Sequence, residues 1–255
     1  MSEPALLTER RERVLVITIN RRDQRNAINA EVAQGMAAAL DELDGDAELS
    51  LGVITGAGKG FCAGMDLKAF VAGESPYAGD RGFAGITRRA AAKPLIAAIE
   101  GFAVAGGLEV ALACDLIVAA RGAKLGIPEV KRSLVAAGGG LLRLPRVLPR
   151  GIAMEMALTG DPILAERGFE LGLVNRLAEP GEAVATALEL AAAIAVNGPL
   201  ALAASKRILN ESTDWPEAEF FERQGEIAGP VMGSEDAREG ATAFAEKRPP
   251  VWRGR

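Results

Sequence analysis

Two glutamates stand out among the residues of this 255-residue chain that could do chemistry. The first, Glu109, is the only charged residue in the segment GFAVAGGLEVALAC, residues 101–114. An ionised carboxylate in such apolar surroundings is costly, so its pKa should rise, and perturbed carboxylates of this kind are often reacting groups. The alternative interpretation is that Glu109 lies in the first turn of a helix, where the helix dipole stabilises it.

The second glutamate, Glu129, follows Pro128 in the segment KLGIPEVKRS. Glutamate is common in the first turn of a helix, so taken alone this residue favours a structural interpretation. Paired with Glu109 it indicates more, because two carboxylates in different surroundings can divide the roles of general acid and general base.

Two glycine-rich turns accompany the glutamates. Gly106-Gly107 directly precede the helix of Glu109, and GAGKGFCAGMDL, residues 56–67, follows a predicted strand. A lone Gly-Gly is best explained as a tight strand-to-helix turn, and residues 56–67 lack the GxxxxGK[ST] order of a phosphate-binding loop. Together, however, two such turns could supply two converging N–H donors. An oxyanion hole needs such a pair, and each donor is worth about 3 to 4 kcal/mol in the transition state.

The composition excludes several other kinds of chemistry. There is no histidine, so neither a Ser-His-Asp system nor a histidine metal site can form from this sequence, and Cys62 and Cys114 are too few for a thiolate zinc cage. We therefore predict no metal, and we interpret both cysteines as buried small apolar residues. The net charge of -5 argues against nucleic acid as a partner. Neither a secretory signal nor a membrane span is evident, which predicts a cytoplasmic protein without membrane contact.

Apolar periodicity predicts an α/β protein. Strands are expected over 14–19, 51–56, 94–101 and 115–120, with helices over 31–43 and 107–113. The alanine-rich segments 90–92 and 191–195 are predicted to be helical packing surfaces. From about residue 150 the chain is predicted to be mostly helical, which gives an α/β core with a helical C-terminal extension. These later helices are expected over 150–159, 165–171, 182–196, 199–210, 216–227 and 235–245.

Together these segments resemble the crotonase superfamily, that is, the enoyl-CoA hydratase/isomerase family. Four pieces carry the resemblance in the family's order, and it extends over almost the whole chain. They are NRRDQRNAIN at 20–29, GFCAGMDLK at 60–68, EGFAVAGGLEVALACDLIVA at 100–119 and LGIPEVKRSLVAAGGGLLRLPR at 125–146.

The resemblance implies a spiral of ββα units over residues 1–195 and a helical trimerisation region over 196–255. It implies a homotrimer or a dimer of trimers, and an acyl-CoA thioester as the substrate. Coenzyme A would be part of that substrate, and no separate cofactor is expected.

The resemblance also assigns roles to residues. The backbone N–H groups of Met65 and Gly106 would hold the thioester oxygen, Glu109 would activate water for attack at C3, and Glu129 would give a proton to C2. Lys247 would reach the coenzyme A of a neighbouring subunit. Further coenzyme A contacts would come from Asn26, Ala27, Ile28, Ala63, Asp66 and Leu67.

The activity predicted is hydration of a 2-enoyl-CoA, or the reverse dehydration. Two alternatives stay open: an enoyl-CoA isomerase, which needs one carboxylate as a proton shuttle, and a non-catalytic acyl-CoA-binding protein. The sequence departs from the family pattern where Ala105 replaces the first glycine of a common triple glycine and where Met65 replaces a common alanine. Another departure is VAAGGG at 135–140, which stands where Pro-Gly-Ala-Gly-Gly is usual. These departures leave the acyl group open rather than the fold.

Overall fold

A computed structural model describes residues 3–255. Its strands are, in chain order, β1 (Leu6–Arg11), β2 (Val14–Ile19), β3 (Leu51–Gly56), β4 (Tyr77–Ala78), β5 (Gly82–Phe83), β6 (Leu95–Ile99), β7 (Phe102–Val104), β8 (Leu116–Ala120), β9 (Lys124–Gly126), β10 (Ile163–Leu164) and β11 (Arg176–Ala178). Its α-helices are α1 (Ala30–Gly45), α2 (Leu67–Val71), α3 (Gly106–Leu112), α4 (Gly140–Val147), α5 (Arg150–Thr159), α6 (Ala165–Glu170), α7 (Ala183–Ala195), α8 (Pro199–Glu211), α9 (Phe220–Met232) and α10 (Glu235–Glu246). A 3-10 helix over Pro128–Arg132 carries Glu129.

The main sheet has six strands in the order β1-β2-β3-β6-β8-β11. The first two strands pair antiparallel, and every other neighbouring pair is parallel. Strands β3 and β6 are buried along their whole length. Parallel strands covered on both faces read as continuous apolar runs, which is why the segments LGVITG and LIAAI were recognisable in the sequence.

Each face of the main sheet has its own apolar core. On one face α7 packs against the sheet through Ala183, Ala187 and Ala191, which recur every four residues and so line one side of the helix. On the other face a larger core gathers the buried side chains of α1, α3 and the segments around them. The candidate active site lies on the side of this larger core.

A smaller sheet, in the order β10-β9-β7, connects the fold to the site. Strands β7 and β9 are parallel, with Val104 opposite Gly126 in the register. Because parallel neighbours end at the same edge of a sheet, the segments that follow them emerge side by side. One of these segments begins the helix of Glu109, and the other begins the 3-10 helix of Glu129.

The helices of the C-terminal region lie outside both cores. Neither α8 nor α9 contains a buried residue. One attachment to the core is polar: Lys206 on α8 pairs with Asp115 at 2.7 Å and donates to the carbonyl of Lys93 at 2.8 Å. The boundary expected at 195/196 coincides with the end of α7, and the division into two regions stays a prediction.

Most predicted elements lie where the sequence indicated, and one alanine-rich segment does not. Residues 90–92 are not helical. The N–H groups of Ala92 and Lys93 donate to the Asp44 carboxylate instead of to helical carbonyls, and Pro94 disfavours helical backbone at Lys93. The strands β1, β4, β5, β7, β9, β10 and β11 and the helices α2 and α4 were not predicted.

Within residues 3–255 no single helix is long and apolar enough to cross a membrane. Helix α7 and the helical stretch Pro199–Asp214, which meet at a bend of 108°, pass that test together by length and composition alone. Helix α7 packs against the main sheet through its buried alanines.

Candidate active site

The site is assembled from chain segments that run parallel to one another. Strand β7 lies between β9 on one side and a single bridge from Ala103 to Cys62 on the other. Cys62 belongs to the glycine-rich segment 56–67. Further along that segment, Met65 forms a second parallel bridge, to Ile28. Both glycine-rich turns and both glutamates therefore depend on one continuous arrangement of backbone pairing.

The segment that leads into the first donor turn, residues 62–66, is held by Asn26. The Asn26 amide donates to the carbonyls of Ala57 and Gly60 at 3.0 and 2.7 Å, and its oxygen accepts from the Arg21 N–H at 3.0 Å. Gly64 has φ +95°, a backbone conformation that favours glycine. Its carbonyl accepts from the Ile28 N–H at 2.8 Å, so the Met65 N–H, on the opposite side of the same trans peptide, points away from that contact.

The second donor turn, Ala105–Gly107, begins α3. A Cβ on Gly106 would lie 2.6 Å from the Phe83 ring, and a Cβ on Gly107 would lie 2.2 Å from the Cys62 carbonyl oxygen. Both positions therefore require glycine. Ala105 has φ +53° and ψ -132°, a conformation that an L residue rarely adopts.

The two turns meet at their glycines. A Cβ on Gly64 would lie 3.0 Å from the backbone nitrogen of Gly106. Among the hydrogen bonds of residues 3–255, none uses the N–H of Met65 or the N–H of Gly106 as a donor. Two free donors on adjoining turns are the arrangement that stabilises a developing oxyanion.

Glu109 lies one helical turn beyond Gly106 and is 4% exposed. Its Oε1 accepts from the Gly140 N–H at 2.9 Å. Burial raises the pKa of this carboxyl, while the N–H groups of Gly140 and Gly138 and the charge of Arg143 oppose that rise. The turn 138–140 fits closely, because a Cβ on Gly138 would lie 2.6 Å from Glu109 Oε2.

Glu129 is half-buried on its 3-10 helix, and its Oε2 is buried with no hydrogen-bond partner among the described residues. Burial raises the pKa of this carboxyl to about 6, and the negative charge of Glu109 adds to the rise. The two carboxylates are therefore close enough to influence each other. Two carboxyls with raised pKa values beside a pair of free N–H donors can carry general acid–base chemistry on a polarised carbonyl.

Comparison with known proteins agrees with this geometry. The enoyl-CoA hydratase/isomerase family model matches residues 9–255. The chain belongs to the enoyl-CoA hydratase/isomerase family. It is 43% identical to enoyl-CoA hydratase EchA19 from Mycobacterium tuberculosis, over all of this chain and 98% of that protein. It is 44% identical to carnitinyl-CoA dehydratase from Salmonella typhi, over the full length of both.

The structural match is closer. The crystal structure of enoyl-CoA hydratase EchA1 from Mycobacterium marinum is 59% identical, has a TM-score of 0.98, and covers 99% of this chain and 100% of that one. The predicted crotonase-type fold and the predicted hydratase class of activity are thereby confirmed. The roles of individual residues stay predictions.

The two segments expected to contact coenzyme A use most of their polar side chains in contacts within the protein. The Asp66 carboxylate caps α2, accepting from the Lys68 and Ala69 N–H groups at 3.1 Å, and pairs with Arg21 at 2.9 Å. The side chains of Asn26 and Ile28 are buried, as is Ala27. The N–H groups of residues 26–28 donate to the carbonyls of Arg21, Gln24 and Gly64. Contacts from these residues to a ligand would therefore fall on their carbonyl oxygens, and their role in binding stays a prediction.

The other residues expected to contact coenzyme A are more accessible. Ala63 is half-buried, and Leu67 is exposed at the start of α2. Lys247 ends α10 in a left-handed conformation with φ +55° and has an exposed side chain. A contact from Lys247 to a neighbouring subunit stays a prediction.

The cysteines take no part in the site chemistry. Cys62 is buried, and burial raises the pKa of its thiol to about 12. Cys114, predicted to be buried, is instead half-buried, and desolvation raises the pKa of its thiol as well. No group of His, Cys, Asp and Glu side chains that could hold a metal ion occurs within the part of the chain that the structure describes.

Sequence reasoning missed one charged residue of the site, Arg143. It lies in the first turn of α4, half-buried, and donates to the carbonyls of Thr87 at 2.6 Å and Gly138 at 3.4 Å. In the sequence it stands in LLRLPR, where a solvated arginine is the ordinary expectation. Only the fold brings it to Glu109, because Thr87 is 56 residues away along the chain.

Proposed function

We propose that this protein hydrates a 2-enoyl-CoA thioester, or dehydrates the corresponding 3-hydroxyacyl-CoA, by two-glutamate acid–base catalysis. The observation that carries the proposal is the pairing of two free N–H donors with two carboxyls of different surroundings. Glu109 accepts a backbone N–H, whereas Glu129 has a buried oxygen that meets no hydrogen-bond partner within residues 3–255. Hydrogen bonds to a carboxylate favour its charged form, and their absence favours the neutral form.

These surroundings suit Glu109 as the base and Glu129 as the acid. Glu109 takes a proton from a water molecule as the water oxygen bonds to C3 of the enoyl group. The electron pair of the C2=C3 bond moves to the thioester oxygen, where the N–H groups of Met65 and Gly106 stabilise the enolate. Glu129 then gives a proton to C2, and exchange with solvent restores both carboxyls.

Coenzyme A recognition is proposed along the first donor turn and the segments beside it. Asn26, Ala27 and Ile28 would contribute backbone carbonyl oxygens, with Ala63, Asp66 and Leu67 lining the same edge. The only coenzyme needed is the one carried by the substrate. A cytoplasmic location is proposed with it, because acyl-CoA thioesters would be met there.

A homotrimer, or a dimer of trimers, is proposed as the working assembly. Large apolar side chains are exposed on the C-terminal helices: Phe221 is 79% exposed, Met232 78% and Phe244 88%. Extended apolar exposure of this kind marks association surfaces. Light scattering should give a mass of three or six chains, whereas a monomer mass would contradict the assembly and the role given to Lys247.

The function is tested with a panel of 2-enoyl-CoA esters in H₂¹⁸O, with products identified by mass spectrometry. Hydration predicts ¹⁸O at C3. The carnitinyl-CoA dehydratase relative makes a 4-trimethylammonium ester a useful panel member beside straight-chain and branched esters. A shifted double bond without ¹⁸O would identify an isomerase, and binding without any product would indicate a non-catalytic acyl-CoA-binding protein.

Variants then assign the carboxyls. Glu109→Gln and Glu129→Gln should each lower kcat by about 10²- to 10⁴-fold, the usual contribution of a general acid or base. Glu155→Gln is the matched control, because Glu155 is exposed on α5 and forms no ion pair among the described residues. Wild-type turnover in both active-site variants would overturn the proposed mechanism.

A further inference from the structure

Arg143 lies at a position on α4 where a positive charge is electrostatically unfavourable. It lies in the first turn of α4, where the helix dipole disfavours a cation, and burial lowers the pKa of its guanidinium. Among the described residues it forms no ion pair within 4.0 Å, whereas Arg146, three residues later, pairs with Asp214 at 3.2 Å. A half-buried cation without a carboxylate partner is an unfavourable arrangement, so its contacts need an explanation other than stability.

Those contacts join two segments that are far apart in the chain. Nη2 donates to the Thr87 carbonyl at 2.6 Å, and Nη1 donates to the Gly138 carbonyl at 3.4 Å. The guanidinium also fills the space over Gly139, where a Cβ would lie 2.2 Å from Nη1. A planar fork with fixed donors can span two carbonyls in this way, and a lysine ammonium cannot reproduce it.

Each of the two segments supports one part of the proposed machinery. The turn that contains Gly138 also supplies the Gly140 N–H that holds Glu109 Oε1 at 2.9 Å. The segment that contains Thr87 also contains Phe83, whose ring lies against Gly106. Arg143 therefore links the support of the carboxylate to the support of the oxyanion donor.

The charge of Arg143 also acts on Glu109. The charged groups that act on or with Glu109 are Arg143 from α4 and Glu129 from the 3-10 helix. Glu129 repels a second negative charge nearby, so Arg143 is the cation among these that favours an ionised Glu109.

We propose that Arg143 is a positioning residue: its guanidinium clamps the turn that holds Glu109 to the segment that supports the Gly106 donor. Its positive charge also favours the ionised form of Glu109. This inference rests on the proposed function for the reaction that it serves. Its structural content, the control of Glu109 by Arg143, is independent of which ester is hydrated.

The test compares Arg143→Met, which removes both fork and charge, with Arg143→Lys, which keeps the charge alone. On the fastest ester, Arg143→Met should lose about 100-fold in kcat, the effect of misplacing a reacting group by about 1 Å. Its KM should change by less than about threefold, because only interactions made in the transition state are lost. Arg143→Lys should lose about tenfold in kcat, because one ammonium cannot span both carbonyls.

A second measurement follows the Glu109 carboxyl directly, by ¹³C NMR of protein labelled at the glutamate carboxyls and assigned with Glu109→Gln. Arg143→Met should raise the Glu109 pKa, and Arg143→Lys should leave it close to the wild-type value. Accordingly the acid limb of kcat/KM should move to higher pH in Arg143→Met only. A role confined to stability would change neither quantity in a variant that remains folded.

Arg146→Met is the matched control, because it removes the same charge from the exposed side of the same helix. Its kcat should stay within about twofold of wild type, and the Glu109 pKa should match the wild-type value. Thermal melting and binding of a saturated acyl-CoA, which cannot be hydrated, establish that each variant is folded. If Arg143→Met fails to fold, Arg143→Lys carries the test, and an unchanged kcat in that variant overturns the clamp.

Failure of this inference is distinguishable from failure of the proposed function. An Arg143→Met enzyme with wild-type kcat and wild-type Glu109 titration overturns the positioning role while hydration stands. If the wild-type protein hydrates no ester, the proposed function fails. The order of the Glu109 pKa values in wild type, Arg143→Lys and Arg143→Met still decides whether Arg143 controls Glu109.

Discussion

Glu109 and Glu129 follow neighbouring parallel strands of one small sheet, yet the structure treats the two carboxyls differently. Glu109 lies on an α-helix and is almost completely buried. It accepts from the Gly140 N–H at 2.9 Å, and the positive charge of Arg143 acts on it. Glu129 lies on a 3-10 helix, half-buried, with one buried oxygen that no described residue contacts. Identical side chains therefore acquire different proton affinities from the segments that follow their strands.

This contrast teaches that the division of roles is set by backbone groups rather than by side-chain identity. The donor to Glu109 comes from a turn of three glycines, residues 138–140, and the turn can approach because it has no Cβ atoms. No such turn faces Glu129 Oε2 within residues 3–255. Each prediction below perturbs one side of the comparison.

The largest effect is expected from Gly138→Ala. The added Cβ would lie 2.6 Å from Glu109 Oε2, so the carboxylate or the turn must move. A displacement of about 1 Å should lower kcat about 100-fold. The measurement is steady-state hydration of the fastest ester.

Gly151→Ala on α5 is the matched control for that substitution. No heavy atom lies within 4 Å of a Cβ at Gly151, and alanine favours a helix, so kcat should be unchanged. Wild-type kcat in Gly138→Ala would mean that the turn yields freely and that the close fit around Glu109 has no catalytic importance.

The next effect is the pH dependence of kcat/KM. Hydration needs Glu109 ionised and Glu129 protonated, and the Glu129 pKa is about 6. The rate should therefore fall about tenfold per pH unit above that value, and it should also fall at low pH as Glu109 becomes protonated. Stopped-flow hydration between pH 4 and 9 measures both limbs.

Variants decide which carboxyl causes which limb, because the two titrations influence each other. Glu129→Gln should lose the alkaline limb and keep the acid limb, on a much lower rate. An alkaline limb that persists in Glu129→Gln would reverse the assignment of acid and base.

How far these two regions could be predicted from the sequence depends on the range of the contacts. The strands 14–19 and 51–56 were predictable because β-branched apolar runs are a local signal. The isolation of Glu109 in an apolar segment was also local, and it was enough to nominate that residue. The two glycine-rich turns were recognisable, but their convergence depends on pairing between Cys62 and Ala103, which no local pattern encodes.

The parts that could not be predicted depend on distant partners. Strands β7 and β9 have three residues each and depend on pairing with each other and with the distant β10 and Cys62. Asn26 resembled a ligand contact, but its amide is consumed by the carbonyls of Ala57 and Gly60. Arg143 looked like a surface charge until Thr87, in a remote loop, was placed beside it.

A smaller effect is expected on stability. Because the folded pKa of Glu129 is raised from the ordinary 4.5 to about 6, the folded state binds this proton more tightly than the unfolded state does. The folded state thus loses stability as pH rises from about 4.5 through 6. After allowance for partial exposure, Glu129→Gln should stabilise the protein by about 1 kcal/mol at pH 7.5.

Urea unfolding at a fixed protein concentration tests this at two pH values. The stabilisation should be present at pH 7.5 and absent at pH 4, where the wild-type carboxyl is also neutral. Glu155→Gln, an exposed control, should change nothing at either pH. Stabilisation of equal size at both pH values would show that packing rather than proton affinity distinguishes Glu129.

The smallest effect concerns how the two catalytic turns begin. The turn of Glu129 starts at Pro128, whose ring fixes a φ suited to a first helical turn, whereas the helix of Glu109 starts after Ala105 with φ +53° and ψ -132°. Ala105→Gly relieves strain of about 1 to 3 kcal/mol but adds about 0.4 to 1 kcal/mol of unfolded-state entropy. We expect a net stabilisation of about 0.5 to 1 kcal/mol in urea unfolding. The same change at Ala72, where φ is -76°, should destabilise the protein by a similar amount. If both variants lose stability equally, Ala105 is unstrained, and the two turns do not differ in backbone strain at their first residues.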